Sequence, residues 1–324
     1  MTIGGASRRR KRVLFPASTP LSYAVMRPLT AALAGRPDVE VWITSRHGGR
    51  RLAERCLAHP LRYAHPLIAR FRSFDVTICS GFSYHSRRGG MLVQMFHGVS
   101  PKNYAVQPQI DRYDRVFLVG EYHRRKFVRA GWLTEDGPRA LRIGMPKTDP
   151  LLAAVTDREA QLAELGLDPS RPVVLYAPTR SGSAGSSLDV MGAEVIDRIA
   201  GMPVSLLVKL HDRSRRRFRR QLRVDYERVV REREERHPGS VRLWPDHDVV
   251  PAMRLADVLI SDLSSVAGEF LLRDRPIVFL GVPGHEAKIR SSAQRAFGAD
   301  DPDHLDAMRE SGELIGDPAQ VAAA

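Results

Sequence analysis

The sequence predicts an α/β protein made of two successive halves, each a mostly parallel sheet with crossover helices. Three observations carry that prediction. Apolar runs of strand length alternate with longer amphipathic stretches, as a parallel sheet with helical crossovers requires. Most of those runs stop at glycine or another small residue. The alternation pauses near Pro146 to Thr156 and then starts again.

Taken in order, "RVLFPAS" reads as a first strand and "LSYAVMRPLTAALAG" as a helix that Pro28 must interrupt or begin. "VEVWITS" is a second strand. "DVTICSG", "MLVQMFHG", "RVFLVG" and "ALRIGMP" are further short strands that complete the first half. "TDREAQLAELGL" is a helix with Thr156 or Asp157 as N-cap. "RPVVLYAPT" and "VSLLVKLH" are strands, and "SGSAGSS" (Ser181 to Ser187) is a flexible loop by composition. A long helix is expected from Asp212 to Arg236, with Phe218, Leu222, Tyr226 and Val229 as its apolar stripe. "ADVLISD" is a strand, "SSVAGEFLLRD" a helix, "RPIVFLG" a strand, and the terminal "DPAQVAAA" looks frayed. The reading is two Rossmann-like domains, 1–150 and 151–324, with parallel sheets facing a central cleft.

The chain has 324 residues, 43% hydrophobic and 27% charged, which is ordinary for a globular protein. Its charge is not ordinary: 50 Lys+Arg against 37 Asp+Glu give +13. Such a field favours polyanions: nucleic acid, anionic lipid, or phosphorylated substrates and polymers. Two cysteines, Cys56 and Cys79, form no disulfide framework and fit a reducing, cytoplasmic setting. The apolar stretch after the basic "RRRKR" is too short for a signal peptide, and no window reaches the roughly 20 apolar residues of a spanning helix.

The sharpest chemical signal is "DVLISDLSSVAGEFLLRDRPIVFL". A buried strand ends at Ser261-Asp262, and a helix begins near Ser264-Ser265. A helix N-terminus offers unpaired N–H groups and partial positive charge, so the segment can cradle a phosphate. Taken as a bare pattern, serines before a helix are common and read first as capping, with Asp262 or Ser264 as a plain N-cap. Two histidines, His97 in "QMFHGVSPK" and His211 in "LVKLHDRS", close strands in the two halves, with Lys209 on the same side as His211. Ligands gather at the carboxyl ends of such strands. One imidazole there can take a proton from an attacking hydroxyl, and a protonated one can stabilise phosphate charge. Each can also be a strand-end histidine satisfied by a neighbouring carbonyl. Arg180 in "YAPTRSGS" can grip a diphosphate or be a solvated loop residue. "GMPKTDP" joins the halves, or brings Lys147 or Asp149 to the cleft. The basic run Arg213–Arg220 is placed on a helix, as a solvated face or as a surface for anionic membrane or a polyanionic acceptor. Interleaved aromatics and nucleic-acid recognition signatures are absent, as are Walker and HExxH motifs, so nucleic acid is not the expected partner.

The segments "FHGVSPK", "GMPKTD", "YAPTR", "VKLH" and "DVLISDLSSVAGEF…RPIVF" occur in one order, from about Phe96 to Phe279. Together they resemble the CDP-glycerol glycerophosphotransferase family of teichoic-acid and related polymer synthesis. The resemblance implies a GT-B fold and transfer of a polyol phosphate from a CDP-activated donor to a hydroxyl of a cell-envelope polymer or lipid-linked acceptor, with CMP leaving. It implies His97 as the base and His211 beside the donor phosphates. Arg180, Lys209, Asp262, Ser264 and Ser265 fall on the donor side, and Gly98, Ser100 and Lys102 on the acceptor side. It implies no organic cofactor and no metal, and work at the inner face of the cell membrane. Three positions depart from the family's usual pattern: Val99-Ser100 after His97-Gly98, Leu263 after Asp262, and Asp212 after His211. The alternatives are a GT-B enzyme using a UDP-sugar or another nucleotide-sugar, either a glycosyltransferase or an epimerase, and a non-enzymatic basic binding protein.

Overall fold

The computed structural model describes residues 9–17, 19–45, 49–57, 61–82, 89–98, 108–182, 185–215, 224–297 and 302–324. The described chain divides into two compact units. Unit 1 runs to His97 and resumes through Lys147; unit 2 holds Gly98 and the chain from Thr148 onward.

Unit 1 contains β1 (Lys11–Ala17), β2 (Val39–Ser45), β3 (Arg62–Tyr63), β4 (Val76–Cys79), β5 (Met91–Met95), β6 (Arg115–Leu118) and β7 (Ala140–Arg142). They form one sheet in the order β3-β2-β1-β4-β5-β6-β7, and every pairing is parallel. Helices cover both faces, which is why β1 reads as an unbroken apolar run. Phe15 and Ile43 pack with Tyr23 and Met26 on one face, and Leu14 and Trp42 pack with Phe74 on the other. The helix Pro20–Ala34 passes straight through Pro28, so the expected interruption does not occur. Pro28 supplies no N–H to the turn before it, but the Thr30 hydroxyl donates to the Arg27 carbonyl at 3.0 Å and the helix face is buried.

Unit 2 repeats the plan with β8 (Val173–Ala177), β9 (Ser205–Val208), β10 (Val241–Leu243), β11 (Val258–Ser261), β12 (Ile277–Leu280) and β13 (Glu313–Ile315). Their order is β10-β9-β8-β11-β12-β13, again wholly parallel. Alternate residues feed two cores. Val173, Leu175, Leu259, Ile277 and Phe279 pack on one face, while Val174, Tyr176, Ile260, Val278 and Leu280 pack on the other. Period two on a sheet covered on both sides dictates this division. In each unit the first strand is internal and the chain reverses direction across the sheet beside it. The two switch points therefore lie between β1 and β4 and between β8 and β11.

Three expectations change. The long helix from Asp212 is instead a 3-10 turn, Asp212–Ser214, and a separate helix, Tyr226–Arg236. Phe218, Leu222 and Arg216–Arg220 lie outside the described residues. The inward face of the helix carries Tyr226, Val230 and Arg233 rather than Val229. The chain end is not frayed: the Asp317 carboxylate accepts the Ala319 N–H at 2.8 Å and Val321 is buried. Among the described residues no helix is long and apolar enough to cross a membrane.

Candidate active site

In unit 1, β5 ends at Met95, and Phe96 is held by ring contacts with His123 and Phe127 at 4.4 and 5.3 Å. That packing fixes the backbone that presents His97, which is half-buried. Its Nδ1 lies 3.1 Å from the carbonyl of Ser80, the residue after β4. A carbonyl only accepts, so Nδ1 carries the proton and the lone pair of the neutral ring sits on Nε2. In this tautomer Nε2 is the ring atom that can accept a proton. Beside it, at the carboxyl ends of β5 and β6, a narrow crevice is lined by Met95, Phe96, Phe117, Val119, Met145 and Lys147. Lys147 is buried there, whereas Asp149 is exposed on the 3-10 turn Pro146–Leu152.

Gly98, expected on the acceptor side, belongs to unit 2. A Cβ placed on it would lie 3.1 Å from Ser265 Cβ and 3.3 Å from Glu269 Oε1, so a side chain here would crowd the helix Ser265–Phe270 and its neighbours would have to give by a few tenths of an ångström. Ser100 and Lys102 lie outside the described residues.

The unit 2 switch point is built from the ends of β8 and β11. Ser261 Oγ donates to the Ala177 carbonyl at 2.7 Å. The carboxylate of the fully buried Asp262 accepts the Thr179 N–H at 2.6 Å on one oxygen and the Ser187 N–H at 3.0 Å on the other. Of the two readings of Asp262, the helix cap is the one the structure removes. The N-cap position belongs to Ser264, and the two oxygens of Asp262 tie the loop after β8 to β11. Ser264 occupies the N-cap position without a capping bond, and its hydroxyl lies 3.2 Å from Ser261 Oγ. Ser265 opens the helix and is half-buried.

The loop Ser181 to Ser187, expected to be flexible, is pinned where it is described. Ser181 Oγ and the Gly182 N–H donate to the Asp189 carboxylate at 2.5 and 2.6 Å, and Ser186 Oγ donates to the Thr179 carbonyl at 3.1 Å. Gly185 (φ +92°) packs on the ring of the buried His285 and has no room for a side chain. Arg180 is thus a half-buried residue on an anchored segment.

His211 follows β9 and caps the 3-10 turn. Its Nδ1 accepts the Arg213 N–H at 3.0 Å, so the ring proton of the neutral form sits on Nε2. Burial, with Lys209 and Arg180 nearby, lowers its pKa to about 4. The sequence left room for a protonated His211; the structure holds it neutral, with Nε2–H as a donor. Lys209 is buried and donates to the Leu210 carbonyl at 2.9 Å. Burial lowers its pKa to about 8 against the pull of Asp212, Asp248 and Asp246.

Asp212 accepts from His247 Nδ1 at 2.7 Å. Burial works to raise that carboxyl, but the His247 bond and the cation of Lys209 keep it below the usual range. Arg215 is buried rather than facing solvent: it donates to the Trp244 carbonyl at 2.8 Å and to Glu227 at 3.1 Å. Arg213 is exposed. Sequence reasoning missed Asp189, Ser214 and His247, none of which stands in a recognisable motif.

The model of the CDP-glycerol:poly(glycerophosphate) glycerophosphotransferase family matches residues 74–282, more than half of the chain. The chain belongs to this family. It is similar to the teichoic acid glycerol-phosphate primase of Bacillus spizizenii, 27% identical over 170 residues, which are 52% of this chain and 40% of that protein. The match thus spans about two fifths of the curated relative. Among solved structures it resembles the wall teichoic acid polymerase TagF, with TM-score 0.64, 17% identity, and coverage of 97% of this chain and 79% of that one. It also resembles a protein described as a UDP-N-acetylglucosamine 2-epimerase from Listeria monocytogenes, with TM-score 0.57, 15% identity, and coverage of 97% and 94%. At these identities the structural likeness speaks for fold, and it agrees with the GT-B class that the family resemblance implies.

Proposed function

We propose that this glycerophosphotransferase family member transfers a glycerophosphate-like polyol phosphate from a CDP-activated donor to a hydroxyl of a cell-envelope polymer or lipid-linked acceptor. The acceptor hydroxyl gives its proton to His97 Nε2 as its oxygen bonds to the β-phosphorus. The bond from that phosphorus to the bridging oxygen breaks, and CMP leaves with the bridging oxygen. In unit 2, His211 Nε2–H, Arg180, Ser264, Ser265 and the N–H groups opening the helix Ser265–Phe270 bind the diphosphate. Catalysis of this type is positioning and charge stabilisation.

The observation that carries the reading is the opposite tautomers of the two histidines: His97 donates from Nδ1 to a carbonyl, and His211 accepts at Nδ1 from an amide. One ring is arranged to take a proton and the other to give a hydrogen bond. Calorimetry against CDP-glycerol, CDP-ribitol and UDP-sugars tests it. Binding of the CDP compounds is expected; binding of UDP-sugars alone would sink the donor assignment.

The same reading puts the enzyme at an anionic membrane surface. Of the basic run Arg213–Arg220, Arg213 is exposed and Arg215 is buried. A second surface also suits that contact. The short helix Pro66–Phe71 exposes Leu67, Ile68 and Phe71 at 65, 58 and 63%, beside Arg70 and Arg72. Apolar side chains rimmed by arginines match acyl chains beneath anionic headgroups. Flotation with phosphatidylglycerol vesicles should fall severalfold when Leu67, Ile68 and Phe71 are changed to serine; unchanged flotation would remove this surface from the account.

A further inference from the structure

Two of the unit 2 groups assigned to the donor diphosphate, Arg180 and His211, stand on separate loops, and a buried hydrogen bond joins those loops. The Ser181 backbone N–H donates to Ser214 Oγ at 2.8 Å. Ser181 directly follows Arg180. Ser214 closes the 3-10 turn that His211 caps, and its own N–H donates to the His211 carbonyl at 2.8 Å. Ser181 and Ser214 are both buried.

The segment is held on its other sides too. Thr179, just before Arg180, is tied to β11 through Asp262 at 2.6 Å. Asp189 holds Ser181 and Gly182 and also accepts from Tyr226 Oη at 2.6 Å. Arg180 therefore projects from a residue whose two neighbours have fixed amides, one bound to the switch point and one to the His211 turn. A long arginine side chain loses much rotamer freedom when it binds, and a fixed backbone limits what must be lost at that moment.

We propose that Ser214 is a positioning residue: with Asp189 behind it, Ser214 sets the placement of the Arg180 guanidinium relative to His211 Nε2–H, so that the two grip one diphosphate. Ser214 itself does not contact the donor. The proposal rests on the assignment of unit 2 as the donor site. It predicts that Ser214 matters for two linked phosphates and much less for one.

A double-mutant cycle on the full chain tests it, with Ser214→Ala and Arg180→Ala alone and together and CDP and CMP as calorimetric probes. Ser214→Ala should weaken CDP on the order of five- to tenfold, the scale of one buried hydrogen bond. It should change CMP by less than about twofold. With Arg180 already removed, Ser214→Ala should change CDP affinity little. Losses that simply multiply would overturn the positioning role while leaving the donor assignment standing. A wild-type protein that binds neither CDP nor CMP would overturn the donor assignment and this proposal with it. If Ser214→Ala does not fold, by thermal unfolding, Asp189→Asn replaces it in the same cycle under the same criteria.

Discussion

The two strand-end histidines differ in one neighbour, and that neighbour decides what each ring can do. Unit 1 offers His97 the carbonyl of Ser80, and unit 2 offers His211 the amide of Arg213. A carbonyl selects the ring with its proton on Nδ1, and an amide selects the ring with its proton on Nε2. Sheet topology brings both residues to carboxyl ends of parallel strands, where ligands of α/β folds gather. Their chemical difference then comes from which backbone group the local turn turns toward the ring. His97 sits where two strand ends lie side by side, so a carbonyl is at hand. His211 caps a turn, so the turn's own N–H is at hand.

Glutamine offers the sharpest way to break this comparison. Its amide can keep a donor near the former Nε2 position, but it cannot take a proton at neutral pH. His97→Gln should lower the transfer rate by roughly 10²- to 10⁴-fold, the usual worth of a general base. Donor affinity should stay within about twofold, because no donor contact is assigned to His97. His211→Gln should retain far more activity than His211→Ala, whose loss should be about 10²-fold or more, as for other preorganised hydrogen-bond donors. Steady-state rates and CDP calorimetry on the three variants decide it. Equal collapse of both glutamine variants would mean that His211 does more than donate a hydrogen bond. Since His211 protonates only near pH 4, its charge should not shape the rate between pH 5 and 7.

Much of the frame was legible in the sequence, because a sheet buried on both faces writes its strands as apolar runs. The run predicted at "VEVWITS" is β2 residue for residue, and "RPVVLYAPT" contains β8. Of the four edge strands, each of two or three residues, β7 was read in "ALRIGMP", but β3, β10 and β13 were not legible. They are too short to show a period and exist because a neighbour pairs with them. The histidines and Arg180 were visible as residues at strand ends, but their tautomers and anchors were not. Those depend on which distant amide or carbonyl meets them: Ser80 is 17 residues from His97, and Asp262 is 83 from Thr179. Asp262 shows the limit of a motif. Its carboxylate stands beside the serines of a phosphate-type turn, yet it serves the backbone.

Lys209 gives the smallest expected effect and a sign that separates local from global causes. Its ammonium is buried beside His211, and burial lowers its pKa to about 8 from 10.5. As pH rises through 8 the site loses one positive charge. CDP affinity should therefore fall by on the order of two- to fivefold between pH 7 and 9, the scale of one screened charge acting through several ångström of protein. Lys209→Met should bind more weakly at pH 7 and show a flatter profile. Stability should move the other way. Between about pH 8 and 10.5 the unfolded chain keeps this proton while the folded chain has released it. The unfolded state then binds more protons, so the Lys209 contribution makes folding more favourable as pH rises. Urea titrations of wild type and Lys209→Met at pH 8 and 10 isolate that contribution as the difference between the two proteins. Affinity that falls while the Lys209-dependent part of stability rises would tie the pH response to this one buried amine. If both fell together, the loss of affinity would belong to the fold at large, and the contrast between the two histidine sites would have to be tested at constant pH.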